Sequence, residues 1–250
     1  SKLFLIDISY KKYFEDNKID DIMNGVDVIF HMAALPRIGP SFKNPKEVCD
    51  VNVGGTQNIL DLARKYKIPV IYAGTSSVHG GVYKNPYTFS KWQGEELCKM
   101  YEGVYGLSVT ICRFYNVYGN HMPTSGGYRT VLPIFLEQYS NGVPLTITGD
   151  GNQRRDFTHV DDIVDAMMGV VHLNKWGSTF ELGRGENHSI NEVAEMFLGY
   201  GEISGLTYID PIYIDEIPGE TRNTLCKSEL AKNKLRWEPK INLNEWLEKQ

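Results

Sequence analysis

The sequence predicts an α/β protein built on an open parallel sheet, and three observations carry that prediction. Short runs rich in β-branched and aromatic residues recur at 26–31, 70–73 and 107–114, the pattern of buried strands. Longer stretches with helix-start signals separate them: Asn44-Pro45 and Asn85-Pro86 each place Asn as N-cap and Pro at the first helical position. Polar side chains gather just past the strand ends, at Thr75-Ser76-Ser77 and at Asn116, where open α/β sheets bind ligands.

The chain opens on a predicted strand, 2–6, followed by Asp7-Ile8-Ser9. Residues 11–24 are polar with apolar Phe14, Ile19, Ile22 and Met23, a short amphipathic helix ended by Asn24-Gly25. The strand 26–31 exits through Met32-Ala33-Ala34, small residues over which a ligand can approach. The helix from Pro45 has Glu47 placed for a capping box and is predicted to run to about Tyr66, with Gly54 and Gly55 in its interior. Two interior glycines cost about 1 kcal/mol each relative to alanine, so close packing is expected there. The strand 70–73 precedes the helix opened by Asn85-Pro86, which continues past Trp92, Leu97 and Met100 to the strand 107–114. After Gly119 the texture changes to a loop rich in Gly, Pro, Ser and Thr. A helix from about Thr130, a short strand at 145–148, a strand at 180–183 and a capping box at Ser189-Ile190-Asn191-Glu192 follow.

With 250 residues the chain has room for one large or two small domains. A net charge of −5 and a pI near 5.7 point to neither a nucleic-acid partner nor a polybasic membrane patch. Cys49, Cys98, Cys112 and Cys226 are scattered, without metal-ligand spacing, so reduced buried thiols in a cytoplasmic protein with no metal site are expected. The sequence shows no signal-peptide pattern and no apolar run long enough to cross a bilayer.

The chemistry concentrates between Ala73 and Lys91. Tyr87 and Lys91 are four apart on the helix after Asn85 and share a face. A free tyrosine titrates near ~10, too high for a base at neutral pH, and a neighbouring cation favours the phenolate. Lys91 is placed to be that cation, and the Thr75 hydroxyl can hold a substrate hydroxyl and share its proton. Proton removal from an alcohol while a hydride leaves its carbon is the reaction such a group suits, and a nicotinamide can accept the hydride.

This stretch resembles the active site of the extended short-chain dehydrogenase/reductase family, the nucleotide-sugar epimerases and dehydratases. Counting back five from Gly80 in Ser77-Val78-His79-Gly80 makes Thr75 the match to the family's catalytic Ser/Thr, and Tyr87 and Lys91 match its catalytic pair. The resemblance implies a Rossmann-like doubly wound sheet with NAD as cofactor and a smaller, discontinuous substrate lobe. It assigns Asp7 and Ile8 to the end of the third strand, holding the adenine. Ala33, Ala34, Ala73, Tyr87, Lys91 and Tyr115 are the other implied NAD contacts. No Gly-x-x-Gly-x-x-Gly occurs in the chain, so two strands and a helix carrying that loop are expected upstream of residue 1. Asn52-Val53-Gly54-Gly55-Thr56 resembles Asn-Val-x-Gly-Thr, with Asn52 a structural hydrogen bonder near the site.

The resemblance continues in the second half. Arg113-Phe114-Tyr115-Asn116-Val117-Tyr118-Gly119 is similar to Arg-x-x-Asn-Val-Tyr-Gly, whose Asn binds substrate, and the helix beginning near Val131 lines the nucleotide pocket. Residues 149–162 match Gly-Asp-Gly-x-Gln-x-Arg-Asp-Phe-x-x-Val-x-Asp nearly position for position, making Arg155 a diphosphate clamp. Asp161-Asp162 are expected to cap the next helix. Pro218-Gly219-Glu220-Thr221-Arg222 supplies the second arginine, Arg222, and Leu235-Arg236-Trp237-Glu238-Pro239 matches Leu-Gly-Trp-x-Pro with Arg replacing Gly. The substrate-binding set is thus Thr75, Asn116, Val131, Arg155 and Arg222. Expected domains are 1–119 with about 157–184 for NAD, and about 120–156 with 185–250 for substrate.

The resemblance implies a nucleotide-diphosphate sugar as substrate and a homodimer. C4 epimerisation, 4,6-dehydration and hexuronate decarboxylation share the first step. Dehydratases place Asp-Glu after the catalytic Thr; here Ser76 and Ser77 stand there, which favours epimerisation of a UDP-glucose or UDP-N-acetylglucosamine type substrate. Thr148 stands where the family often has an aromatic beside the uracil, and the link from Thr75 to Tyr87 is shorter than the family's. A non-catalytic nucleotide-sugar or NAD(H) binder is the alternative of another class.

Overall fold

The computed structural model describes residues 7–9, 18–204, 209–216 and 218–250. The expected strand 2–6 and the first part of the helix 11–24 lie outside the described residues. The architecture is α/β, as predicted. Two compact units divide the chain, residues 1–113 with 167–180 and residues 114–166 with 181–250.

In the first unit α1 (Lys18–Met23) leads to β1 (Ile29–His31), α2 (Ile38–Lys43) and α3 (Pro45–Cys49). A π-helical turn, Asp50–Gly54, joins α3 to α4 (Gly55–Tyr66); β2 (Val70–Thr75), a 3₁₀ turn (Ser76–Gly80), α5 (Pro86–Tyr105) and β3 (Val109–Phe114) follow. The second unit holds β4 (Asn116–Tyr118), α6 (Val131–Ser140), β5 (Thr146–Thr148), β6 (Arg154–Arg155) and β7 (Phe157–His159). The chain returns to the first unit within α7 (Val160–His172) and leaves it within β8 (Thr179–Leu182). Then β9 (His188–Ser189), α8 (Ile190–Ser204), β10 (Ile212–Ile214), α9 (Leu230–Leu235) and α10 (Leu243–Leu247) complete the second unit.

The main sheet has the order β1-β2-β3-β8. β1 and β2 run parallel, with Ile29 opposite Val70 and His31 opposite Tyr72. All six residues of β2 are buried, which is why it reads as a continuous apolar run without alternation. Leu60, Ala63, Val70, Tyr72, Cys98, Tyr101 and Ile111 form the core between this sheet and helices α4 and α5.

Helix α5 is delimited as its sequence dictates. Asn85 caps it, its Oδ1 accepting from the Thr88 N–H at 2.8 Å, and Gly106 ends it in the left-handed conformation. The helix from Pro45 does reach Tyr66, but Asn44 makes no side-chain cap and the expected capping box with Glu47 is absent. The π turn at Asp50–Gly54 breaks the regular pattern instead. Gly55 has the packing reason predicted for it, because a Cβ there would sit 2.7 Å from Ile8 Cδ1; Gly54 has no neighbour that close.

In the second unit a core of Tyr118, Leu132, Phe135, Ile147, Phe157, Val193 and Phe197 lies among β4, α6, β5, β7 and α8. The border after residue 113, earlier than the expected one at 119, has a clear cause: β4 pairs in parallel with β7, Asn116 opposite Phe157, so residues 116–118 and 157–159 belong together. The capping box of α8 forms as predicted. Ser189 Oγ accepts from the Glu192 N–H, and Glu192 Oε2 from the Ser189 N–H, both at 3.0 Å. Asp162 does not cap α7; its carboxylate accepts the N–H groups of Lys240 and Ile241 at 3.0 Å each and so anchors the C-terminal segment. Arg236, where the family has glycine, ends α9 with φ 54, the left-handed conformation glycine adopts without strain.

Candidate active site

β2 ends at Thr75, and the chain turns at once into the 3₁₀ segment. Thr75 Oγ1 accepts from the Ser77 N–H at 3.2 Å and lies 3.2 Å from Ser77 Oγ. Tyr87, on the first turn of α5, reaches back to this strand end and hydrogen-bonds the Thr75 hydroxyl. Burial pushes the Tyr87 phenol above its ordinary range, opposed by the Thr75 hydrogen bond and then by the charge of Arg37. The direction is therefore opposite to the one expected from a Tyr–Lys pair, because desolvation outweighs the Thr75 hydrogen bond and the Arg37 charge. Tyr87 as a whole residue is half-buried.

Lys91 is 4% exposed, and its ammonium lies 4.1 Å from the centroid of the Tyr72 ring. Burial lowers its pKa to about 8, with Cys98 and Glu95 pulling the other way. Tyr72, on β2, thus supplies the floor of the site: its ring faces Lys91 and its hydroxyl donates to the Lys91 carbonyl at 3.2 Å. Gly94 makes room for it, since a Cβ there would sit 2.2 Å from Tyr72 Oη.

Asn52, on the π turn, holds the site together. Its Oδ1 accepts from Leu35 N–H at 2.7 Å, and its Nδ2 donates to Leu35 O at 3.1 Å and Ser90 Oγ at 2.9 Å. Ser90 Oγ in turn donates to the Tyr87 carbonyl at 2.9 Å. The loop after β1 and the first turn of α5 are thereby fixed to one amide, and the π turn has a functional cause of the kind such bulges commonly have.

Below Thr75, Glu95 is fully buried and accepts from Arg113 Nε (3.1 Å) and Nη2 (2.6 Å). A Cβ on Gly74 would meet Glu95 Oε1 at 2.8 Å, so the carboxylate packs against the β2 backbone one residue before Thr75. Sequence reasoning missed Glu95, Tyr72 and Arg37. The Arg113 match in the Arg-x-x-Asn pattern was the one signal that an acidic partner existed.

His31 closes the site on the β1 side, its ring 5.6 Å from that of Tyr72. Thr56 Oγ1 donates to Asn52 O at 2.6 Å and lies 2.9 Å from His31 Nε2, so Nε2 carries a proton. Burial and then the Lys91 charge lower the His31 pKa to about 3. The unfolded chain protonates near ~6.5, so between there and pH 3 it binds the extra proton and the fold does not. Stability is therefore expected to fall as pH drops through that window, by up to about 1.4 kcal/mol per pH unit. Urea midpoints at pH 7 and 4.5 measure this, and His31→Gln should flatten the difference.

The remaining assigned positions distribute as follows. Ala73 lies within buried β2, and Ala33 and Ala34 line the exit from β1 with Ala33 exposed. Asp7 is exposed, one carboxylate oxygen accepting from Ser9 N–H (2.9 Å) and Oγ (2.7 Å), and Ile8 O accepts from Asn58 Nδ2 at 2.8 Å. In the second unit Tyr115 is buried and donates to Glu181 Oε2 at 3.2 Å. The Asn116 amide donates to Asp156 O and Thr224 Oγ1, both at 3.0 Å, which makes it a structural clamp in this state. Val131 begins α6 and packs against the core.

Arg222 comes to the turn after β5, and Arg155 meets the neighbouring segment at Glu220 and Thr221. Arg155 is 7% exposed, donates to Thr221 O at 2.7 Å and pairs with Glu220 at 2.9 Å. Arg222 is exposed and grips Asp150 with two bonds, 3.0 and 2.8 Å, holding the Asp150 carboxyl far below the usual carboxylate range. Each arginine thus has a carboxylate of its own chain where a phosphate was expected. Thr148, Gly149, Gln153, Thr221 and Arg222 line a small pocket beside them. Gln153 Oε1 is buried with no hydrogen-bond partner among the described residues. Gly151 shapes the turn: its φ is +71, and a Cβ would lie 1.9 Å from Asn191 Oδ1. Among the described residues no helix is long and apolar enough to cross a membrane.

Comparison with known proteins shows the family and agrees with the fold. The model of the NAD dependent epimerase/dehydratase family matches residues 7–183. An uncharacterized UDP-glucose epimerase of Bacillus subtilis is 34% identical over 242 residues, covering 90% of this chain and 73% of the relative. A UDP-N-acetyl-alpha-D-glucosaminuronate decarboxylase of Bacillus cytotoxicus is 33% identical over 198 residues, covering 72% and 61%. The crystal structure of a UDP-glucuronic acid 4-epimerase from Bacillus cereus, in complex with UDP-glucuronic acid and NAD, superposes with a TM-score of 0.85. It is 27% identical and covers 94% of this chain and 77% of that one.

Proposed function

This chain belongs to the NAD dependent epimerase/dehydratase family, and from its site we propose that it inverts C4 of a nucleoside-diphosphate sugar through a transient 4-keto sugar. The observation that carries this reading is the Tyr87 phenol hydrogen-bonded to Thr75 at the end of β2, with no carboxylate at positions 76 and 77. Loss of water from a 4-keto sugar needs an acid and a base beside that hydroxyl. The nearby carboxylate, Glu95, is sealed under the strand by Arg113.

The first unit fits the family's cofactor. The Lys91 ammonium is buried, and the described residues give it an aromatic face but no acceptor, a need that ribose hydroxyls satisfy. Asp7 offers an exposed carboxylate, and Ala33 a small exposed surface over which a flat ring can lie. When bound, NAD supplies a hydride acceptor and donor.

The protein's own part is proton management and orientation. Thr75 and Tyr87 receive the sugar's O4, and Tyr87 takes its proton as the C4 hydride departs, leaving a ketone. After the sugar turns over, the hydride returns to the opposite face and Tyr87 gives the proton back to O4. Lys91 orients the ribose, and its charge favours the phenolate. In the second unit Arg155 and Arg222 bind the diphosphate, exchanging Glu220 and Asp150 for phosphate oxygens, and the orphaned Gln153 acceptor serves the base. A homodimer belongs to this proposal, supported by the exposed apolar Met100, Val104 and Tyr105 at the end of α5.

The experiment is incubation with NAD and, separately, UDP-glucose, UDP-N-acetylglucosamine and UDP-glucuronic acid, followed by NMR of the products. A 4-epimer from at least one supports the reading; a 4-keto-6-deoxy or decarboxylated product would assign the site to another branch of the family. Arg222→Ala should raise KM for the nucleotide sugar about 10–100-fold, the worth of a charge-assisted pair, with kcat little changed. Its thermal midpoint should stay within a degree or two, because an exposed ion pair contributes about 0–1 kcal/mol. Steady-state kinetics beside a melting curve check both halves.

A further inference from the structure

The segment 221–226, between β10 and α9, is held by its main chain. Arg154 N–H donates to Arg222 O at 2.8 Å, and Thr224 N–H donates to Arg154 O at 3.1 Å. Thr224 O accepts from Asn187 Nδ2 at 3.0 Å, and Cys226 N–H donates to Asp156 Oδ2 at 2.9 Å. Both backbone groups of Thr224 are thus satisfied without its side chain, so its hydroxyl is not needed to place the segment.

That hydroxyl meets Asn116 instead. Thr224 Oγ1 accepts from Asn116 Nδ2 at 3.0 Å and from Asp156 N–H at 3.2 Å. Asn116 Nδ2 also donates to Asp156 O, again at 3.0 Å. A carbonyl can only accept, so the atom facing it is the amide nitrogen, and the orientation of the Asn116 side chain follows. Both amide hydrogens are then committed within the protein. Oδ1 has no hydrogen-bond partner among the described residues and is the polar atom that the half-buried side chain has left for a ligand.

The neighbourhood is that of the two arginines. Asn116 stands opposite Phe157, two residues beyond Arg155, and Thr224 is two residues beyond Arg222. All of them belong to the second unit. We propose that Thr224 is a positioning residue for substrate binding: its hydroxyl turns the Asn116 amide so that Oδ1 accepts from a hydroxyl of the nucleoside-diphosphate sugar. An ionised phosphate has no hydrogen to give and is not its counterpart. The inference rests on the reading of the second unit as the nucleotide-sugar site. A clamp of this kind holds the acceptor in place before the ligand arrives, which lowers the ordering cost of binding.

The test begins without ligand. The side-chain amide protons of Asn116, assigned by their disappearance in Asn116→Ala, are followed by NMR in the free protein. Thr224→Val, with Thr224→Ala as a smaller second variant, removes the acceptor. At least one of the two signals should shift and exchange faster with water, while Thr224→Ser should keep both near their parent positions. Calorimetric titration with UDP-glucose then reads the consequence. Thr224→Val should weaken binding about 3–10-fold, the worth of one oriented hydrogen bond, and Thr224→Ser should restore it. In an Asn116→Ala background the same change should have no further effect, because Thr224 acts through Asn116; a merely structural threonine would weaken binding equally in both backgrounds. Unchanged amide signals in Thr224→Val and Thr224→Ala, a Thr224→Ser protein as weak as Thr224→Val, or equal losses in the two backgrounds would each overturn the proposal. A parent protein that binds no UDP-glucose would count against the nucleotide-sugar reading, and the amide signals would still decide whether Thr224 sets the Asn116 amide.

Discussion

Tyr87→Phe is expected to fold normally and to lose about 10²–10⁴-fold in kcat, the range for removing a positioned acid–base group. The ring fills the same space in the variant, and the lost phenol contact is one hydrogen bond to Thr75, with a net worth of about 0.5–1.5 kcal/mol. KM should change much less than kcat, because the phenol acts on the proton in flight and the anchoring charges lie elsewhere. Thr75→Val should show a smaller loss of the same kind, since Thr75 orients the phenol and the substrate hydroxyl without taking the proton. Steady-state kinetics with a circular dichroism melt separates a loss of chemistry from a loss of fold.

Glu95→Ala is expected to destabilise the protein by about 3–5 kcal/mol, the usual result of removing one partner from a buried ion pair. Glu95 is fully buried and holds Arg113 through both Nε and Nη2. Its loss removes the carboxylate that faces a largely covered guanidinium, 17% exposed. Because Glu95 also packs against Gly74, the end of β2 should loosen and activity fall with stability. Replacing both residues by apolar side chains of similar volume should recover most of the loss, since the charges are then removed together. Urea unfolding of the single and double variants measures the difference. A Glu95→Ala protein as stable as its parent would mean that the pair carries no structural weight.

Much of the first unit was legible because its signals are local. Strand β2 is an apolar run, α5 opens with an Asn-Pro pair whose cap bond forms, and Tyr87 and Lys91 share a face by helical spacing alone. The capping box at Ser189–Glu192 was legible for the same reason. Contacts distant in sequence were not. No periodicity reveals that Lys91 faces Tyr72, that Glu95 finds Arg113, or that Asp162 receives N–H groups near residue 240. The π turn escaped notice because its cause is Asn52 bonding Leu35 and Ser90, residues on two other segments. The early border of the second unit follows from β4 pairing with β7, some 40 residues away. The phenol's direction was misjudged because spacing shows a neighbouring cation and hides burial, and burial is the larger effect.

The same limit applies to the arginines. Motif matching identified Arg155 and Arg222 but not their carboxylate partners, Glu220 and Asp150. Those partners hold each guanidinium in place, and under the proposed function they set an electrostatic threshold that a diphosphate, with more charge and more oxygen acceptors, would have to exceed.

The central claim is that one hydride leaves C4 and comes back to C4 on the other face. It is tested most directly with a UDP-hexose deuterated at C4, incubated with the protein and NAD and read by NMR. The expected product is the 4-epimer with deuterium still at C4. Deuterium at C6 would show that water had been lost before the hydride returned, and a 4-epimer with protium at C4 would show exchange with the medium; either result would contradict the account.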